Sequence, residues 1–432
     1  MNKKLSLAVA GALVALSSTA NAGITIPAGD WTVDIGGVVN AYYTSTNLSG
    51  ANTLGYGGTY MAGGSQTHAN ITTGLLPNYL AVSGKTRQND LDVAFTISIN
   101  PGASTTAGGK QSSQQENRQA FLTVGDASWG SIKLGKDLGI YASDAILNDM
   151  TLLGVGSGAG TLAGNTTTLG RIGTGFMYAD WKSQVSYTSP NWNGFQFTAG
   201  VTQPFNAIAV GDAATPISAT SNGQGGSEPA FEGKVSYAFT ANEVTGKVWV
   251  SGISQKVKGL TNASAAYTTV ASNGTVTGHA AVANSITSPD DRAESWDIGG
   301  NVSFAGLSLT GYYYQGSGIG QTIQLNHGFD INGKARDSEG GYVQAVYTVP
   351  TIGTKLGVSW GESSIDANSS EAATGNQTDE MWTVGAYHPL TKAVNLVAEY
   401  SHAKSEISGS SVSANNRQGK ADTVSLGAIL FF

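Results

Sequence analysis

Apolar and polar residues alternate with a period of two in segment after segment of this 432-residue chain. In LDVAFTISI, Leu91, Val93, Phe95, Ile97 and Ile99 share one face, and Asp92, Ala94, Thr96 and Ser98 share the other. FEGKVSYAF sets Phe231, Val235, Tyr237 and Phe239 against Glu232, Lys234 and Ser236. SWDIGGNVSF sets Trp296, Ile298, Val302 and Phe304 against Ser295, Asp297, Asn301 and Ser303, and FQFTAGV and VNLVAEYS repeat the pattern. Successive side chains of a strand point to opposite faces, so the pattern dictates half-buried strands. A soluble sandwich alternates in the same way, and the connections decide between the two. Short ones (residues 126–130, 190–194, 241–243, 305–306, 349–353 and 390–393) alternate with long polar ones (102–117, 204–229, 256–291 and 362–378). Tight turns at one end and long loops at the other are the layout of a transmembrane antiparallel β-barrel. Counted this way, the chain predicts an all-β fold of about sixteen strands, each roughly 8–11 residues, the span a tilted membrane strand needs.

The first residues set the address. Lys3 and Lys4, an apolar run from Leu5 to Leu16 and Ala20-Asn21-Ala22 read as a secretory signal peptide, residues 1–22, cleaved after Ala22. Residues 23–432 then form one domain, since no repeat or linker divides them. Removing the two lysines makes the charge two units more negative than the −7 of the whole chain, which argues against a nucleic-acid partner. An exported chain without cysteine has no disulfides and no thiolate metal sites. Charged residues are 12%, about half the ~25% of a soluble protein, and the 59 glycines are about twice the usual ~7% share. Both deviations suit an exported β-protein.

The final strand, TVSLGAILFF, places Val424, Leu426, Ala428, Leu430 and Phe432 in one apolar row. Pairing with a first strand near residues 31–43 closes the sheet and removes both edges. Trp129, Trp192, Phe195, Tyr237, Trp296, Tyr387 and Tyr400 fall near strand ends, at headgroup level.

One segment breaks the alternation. GKDLGIYASDAILNDMTLLGVG, residues 135–156, carries Asp137, Asp144 and Asp149 among Ile140, Ala145, Ile146, Met150 and Leu153, too apolar for a solvated loop. Here the chain resembles the Gram-negative general diffusion porins. The likeness lies in Arg118, Ala120, Phe121, Gly130-Ser131, Gly135-Lys136 and Asp149-Met150, and in the stretch 170–197, with Gly170-Arg171 opening the strand after the third loop and then Tyr-x-Ser-Pro…Gly-Phe-x-Phe. Ser425-x-Gly427, Leu430 and terminal Phe432 resemble the C-terminal signal by which outer-membrane barrels are handed to the insertion machinery. The resemblance implies a homotrimer in the lipid of a Gram-negative outer membrane, each chain a water-filled pore for ions and small hydrophilic solutes. It also implies a third loop, residues 140–153, that folds into the barrel, its apolar side on the inner wall and its carboxylates toward the lumen.

Carried over by residue, Asp149 matches the loop carboxylate, and Arg118 and Arg171 match wall arginines. Tyr79, Val38 and Leu153 stand where the family carries an arginine, a lysine and an acid, so weaker or different selectivity is expected. Lys133 points inward by alternation and Lys136 joins the constriction set through the motif. Arg118 shares a face with Leu122 and Val124 and needs a bulge to turn inward. Each assignment has a plainer rival: a solvated loop acid for Asp149, a local pair with Asp180 for Arg171, a helix cap for Asp144. Asp92, Glu232, Lys234, Asp297 and Glu399 face lumen water on the alternation.

Catalytic signatures fail on context. Residues 357–361 spell G-x-S-x-G inside an alternating strand, without the strand-to-helix turn of a nucleophile elbow. The five histidines lack ligand spacing, and residues 330–339 lack the EF-hand spacing for calcium. No enzyme activity and no cofactor are expected. A substrate-preferring channel, and behind it a structural or adhesive barrel, remain the alternatives to a passive pore; excess acid predicts slight cation preference.

Overall fold

A computed structural model describes residues 23–50, 66–104, 115–159, 167–205, 228–257, 261–264, 267–270, 276–279, 282–285, 292–330, 333–370, 375–409 and 417–432. The expected signal peptide and much of the long loops lie outside the described residues.

Sixteen strands close into one antiparallel barrel. They are β2 (Trp31–Gly50), β4 (Tyr79–Gln88), β5 (Leu91–Pro101), β7 (Ala120–Asp126), β8 (Gly130–Leu138), β9 (Trp181–Thr188), β10 (Phe195–Thr202) and β11 (Ala230–Ala241), then β12 (Val244–Lys256), β17 (Arg292–Phe304), β18 (Leu307–Ser317), β19 (Asp337–Thr348), β20 (Lys355–Ile365), β21 (Gln377–Pro389), β22 (Val394–Ile407) and β23 (Gln418–Phe431). The seam is β2 against β23, from Val38↔Phe431 to Gly50↔Gly419. Beyond the last strand, β1 (Ile24–Ala28) continues the pairing along the lower half of β2. Phe432 and Gly37 exchange backbone hydrogen bonds of 2.8 and 3.1 Å, so no edge stays open there. Two shorter strands, β3 (Thr67–Thr72) and β6 (Gln115–Glu116), extend the wall at the long-loop end, where β13 (Thr261–Ser264), β14 (Tyr267–Val270), β15 (Val276–His279) and β16 (Val282–Ser285) pair as two short ladders.

Every expected short connection joins consecutive barrel strands. One more, Asn89-Asp90, was not anticipated: both residues take left-handed φ values (49° and 64°), which the tight hairpin turn requires and these residue types tolerate. Several strands are longer than expected, thirteen residues in β12, β17 and β21 and fourteen in β22 and β23. Their outer rows explain the surplus. On β22, Leu396, Ala398 and Tyr400 give way to His402, Lys404 and Glu406, and on β23 the apolar row starts only at Val424, so the extra length stands beyond the bilayer.

The outward rows are apolar and uncovered, with Val39 at 56%, Val343 at 58% and Leu426 at 52% exposure. A water-soluble monomer does not leave so large an apolar belt bare, whereas a lipid-facing wall requires it. Trp296 against Tyr313 and Trp382 against Tyr400 pack at 5.8 and 5.2 Å where the belt meets polar residues. Tyr387, expected near the headgroups, instead points inward and is buried, donating to Glu399. Among the described residues no helix is long and apolar enough to cross a membrane.

Candidate functional site

The inward rows are polar: Ser251, Ser295, Gln344, Ser359, Thr383 and Ser401, with Glu232, Lys234, Lys247 and Glu399 among them. Residues 139–159 and 167–180, from the third long loop, meet this surface. Ile140 and Tyr141 N–H groups donate to Glu232 Oε2 on β11 at 2.8 and 2.9 Å. The other oxygen of Glu232 accepts from Lys182 Nζ (2.7 Å) and Thr202 Oγ1 (2.8 Å). Further on, Tyr342 on β19 donates to the Ala145 carbonyl, and the Gln344 amide clasps Met150 N–H and the Asn148 carbonyl. Val155 and Gly156 N–H groups then donate to Glu399 Oε2, near the middle of β22, at 2.7 and 3.0 Å. Two wall carboxylates thus tie down the start and the end of the segment. A non-repetitive backbone away from bulk water must find such partners, and the polar inner wall supplies them.

Within this loop, α1 (Ser143–Asn148) and the 3₁₀ turn Met150–Leu153 orient the acids. Asp144 does not cap α1: the cap position is Ala142, in left-handed conformation without a side-chain bond. Its carboxylate instead bridges Lys234 (2.8 Å) and Lys247 on adjacent strands. Burial opposes its charged form, but the two ammonium groups outweigh burial and hold the carboxyl below its usual range. Asp149 caps the 3₁₀ turn, accepting from Thr151 N–H (2.9 Å) and Thr151 Oγ1 (2.6 Å). Burial raises its carboxyl, offset in part by Arg171 and Thr151.

Ile140, Ala145 and Met150 are buried against the wall, so the apolar side of the loop packs inward, but its carboxylates do not face the lumen. Its acids are covered, each 4% exposed, whereas Ile146, Leu147, Asn148 and Leu153 are half-exposed. The inner wall offers aromatic rings such as Trp249, Tyr312 and Tyr342 beside lysines and glutamates, so it seats the apolar side of the loop and also covers its acids.

The basic residues also depart from expectation. Arg118 lies between β6 and β7, outside any strand, and this irregular stretch does the work of the anticipated bulge. Its guanidinium bonds Glu116 at 2.8 Å and stands over Trp181, 5.8 Å from the ring centroid. Gly170 and Arg171 do not open a strand; β9 starts at Trp181. Arg171 is fully buried and does not pair with Asp180: it donates to the Met381 and Thr174 carbonyls and to Ser359. Lys133 faces inward, as alternation requires, and is bonded to Asp137. Lys136 falls in the outward register beside Ile132 and Leu134 and donates to the Asn117 carbonyl. Gly427 packs inward on Tyr42, Leu430 lies on the outward row, and Phe432 closes against Gly37.

The G-x-S-x-G stretch has a structural reason. Gly357, Ser359 and Gly361 all face inward: a Cβ on Gly357 would stand 2.7 Å from Met150 Sδ, and one on Gly361 2.7 Å from the Thr174 carbonyl. With Ser359 holding Arg171, the motif is the seat of the third loop. Sequence reasoning missed this, together with Lys182 and Lys247. The signal was present, because Lys182, Gln184 and Ser186 form a polar row on an alternating strand. Between the loop and the β7–β9 wall lies a narrow cavity lined by Leu75, Leu76, Leu138, Ile146, Leu147 and Trp181, with Arg118 as its one charged lining residue. Among the described residues no group of three or more His, Cys, Asp or Glu side chains is placed to hold a metal ion.

The chain matches the Gram-negative porin family over residues 8–408. No curated protein sequence matches it significantly. Among solved structures, it superposes on the outer membrane channel DcaP of Acinetobacter baumannii with a TM-score of 0.60 at 15% identity, covering 94% of this chain and 99% of that one. Salmonella typhi OmpF in complex with daunomycin gives 0.55 at 15% identity, covering 95% and 100%. An anion-selective porin from Comamonas acidovorans gives 0.53 at 14% identity, covering 93% and 100%. Family and fold point to a channel rather than an enzyme. With a closed sixteen-strand barrel, a lipid-facing belt and a polar interior, this chain belongs to the Gram-negative porin family, an outer-membrane channel for the passive diffusion of solutes.

Proposed function

We propose that residues 140–153 constrict the pore, and that what passes is set by the space between this segment and the β7–β9 wall. The observation that carries the reading is the pair of wall carboxylates, Glu232 and Glu399, that hold the backbone at both ends of the segment. In place of acids facing arginines, the narrow region presents Ile146, Leu147 and Leu152 on the loop side and the Arg118–Trp181 pair on the other. Ordered water across a strong transverse field would reject apolar solutes; a weakly charged, partly apolar eyelet rejects them less. Asp149 and Asp144 then act as struts of the constriction, and Lys133 with Asp137 supplies charge near the lumen.

The chain is expected to assemble as a homotrimer in outer-membrane lipid, in line with trimeric relatives such as the OmpT trimer of Vibrio cholerae. It is expected to be exported through residues 1–22 and inserted by recognition of Gly427, Leu430 and Phe432. A planar-bilayer recording under a salt gradient tests the pore, and unboiled electrophoresis or chemical crosslinking tests the trimer. A second reading, a channel preferring solutes with an apolar body, is favoured by the partly exposed Ile146, Leu147 and Leu153 of the loop. Flux that saturates with an aromatic or branched-chain solute but not with a sugar supports that reading; linear flux for both removes it.

A further inference from the structure

A second long loop also turns inward. Residues 318–336 connect β18 to β19, and their tip, residues 319–326, is almost fully buried although it belongs to no strand. Ile319 and Ile323 pack with the inward Tyr312, Tyr314 and Tyr342 in the same core as the third loop. Tyr178 N–H of the third loop donates to the Thr322 carbonyl at 2.9 Å, and Gln324 Nε2 donates to the Tyr178 carbonyl at 2.9 Å. Gln324 Oε1 accepts from Lys182 at 2.6 Å, and Lys182 is the partner of Glu232, which holds the start of the third loop. The two loops therefore share one chain of hydrogen bonds near the long-loop mouth of the barrel.

The fit of this tip is imperfect. Thr322, Leu325 and His327 adopt left-handed φ values of 70°, 66° and 58°, strained for such side chains, Thr322 most of all because it is β-branched. Gln321 Oε1, Thr322 Oγ1 and Asn326 Nδ2 are buried without a hydrogen-bond partner among the described residues. Strain and unmet polar groups lower the cost of leaving this position, since water satisfies those groups as the tip withdraws.

We propose that residues 319–326 form a second, displaceable barrier in series with the third loop, closed in this conformation, which sets solute size at the extracellular mouth. The proposal rests on the porin reading. Because the chain has no cysteine, a Tyr178→Cys/Thr322→Cys pair can be oxidised and reduced without interference. The expected result is a disulfide in the folded barrel and a step conductance that rises about twofold or more on reduction. A second variant, with residues 319–326 replaced by two glycines, is expected to match or exceed the reduced level and to admit larger solutes into liposomes. The proposal is overturned if the pair does not oxidise in folded protein, or if oxidised, reduced and shortened proteins all conduct as the wild type does. Silent channels in every form, the shortened one included, would count against the pore itself; a silent wild type with a conducting shortened variant supports the barrier.

Discussion

Replacing Glu232 by Gln should loosen the third loop without touching any residue of the narrow cavity. Four donors converge on this carboxylate, from Ile140, Tyr141, Lys182 and Thr202. Glutamine offers one carbonyl oxygen and turns an NH₂ group toward donors. The Glu232 and Lys182 side chains are 0% and 1% exposed, so the lysine keeps its bond to Gln324 but loses its counter-charge away from water. Breaking one side of such a pair costs about 3–5 kcal/mol. With half of that falling on loop docking, the docked-to-free ratio drops by roughly 10- to 70-fold. Single-channel recordings should then show flicker among conductance levels where the wild type is quiet, and graded-solute swelling assays should show a higher size limit. Glu232→Gln with Lys182→Met removes both charges, and most of the loss should be recovered, as removal of a whole buried pair is close to neutral. Quiet, wild-type conductance in the single variant would refute the clamp.

Four further outcomes follow from the contacts of the third loop. Asp144→Asn frees Lys234 and Lys247, so the reversal potential under a salt gradient should move toward anion preference. The Asp144 carboxyl is held below its ordinary value, so its contribution is complete above pH ~4 and is lost only as pH falls through the lowered value; onset of flicker at pH 5 or 6 would contradict this. Asp149→Ala removes the cap of the 3₁₀ turn, costing about 1 kcal/mol in melting or denaturant experiments while leaving ion selectivity nearly unchanged; a large selectivity shift would put the carboxylate back in the lumen. Gly361→Val forces a side chain against the Thr174 carbonyl and should destabilise loop docking by about 1–3 kcal/mol, read as raised conductance noise.

Much of the barrel is legible in the sequence because each strand has one lipid-facing and one water-facing row. Leu426 and Val424 against Ser425 and Thr423, or Trp296 and Ile298 against Ser295 and Asp297, declare their faces unaided. The Asn89-Asp90 turn escaped because it is only two residues long and carries no glycine. The loops resisted for a different reason: alternation says which side chains enter the barrel but not what they meet there. Alternation points Glu232 and Glu399 at lumen water, yet each holds backbone N–H groups of a segment far off in sequence. For Arg171 and Lys136, position in the motif is not position on a strand. The strand after the third loop begins at Trp181, and Lys136 keeps the outward register of Leu134. The loop over residues 318–336 has no apolar run or familiar motif, and the burial of its tip depends on contacts with the third loop that alternation does not show.

If residues 140–153 border the conducting path as proposed, the half-buried Leu147 stands on its open side. Leu147→Cys in this cysteine-free chain, treated in a planar bilayer with a water-soluble, positively charged thiol reagent, tests it directly. A stepwise fall in single-channel conductance and a reversal-potential shift toward anions are expected as each pore is labelled. Full labelling of the cysteine with conductance and reversal potential unchanged would contradict it.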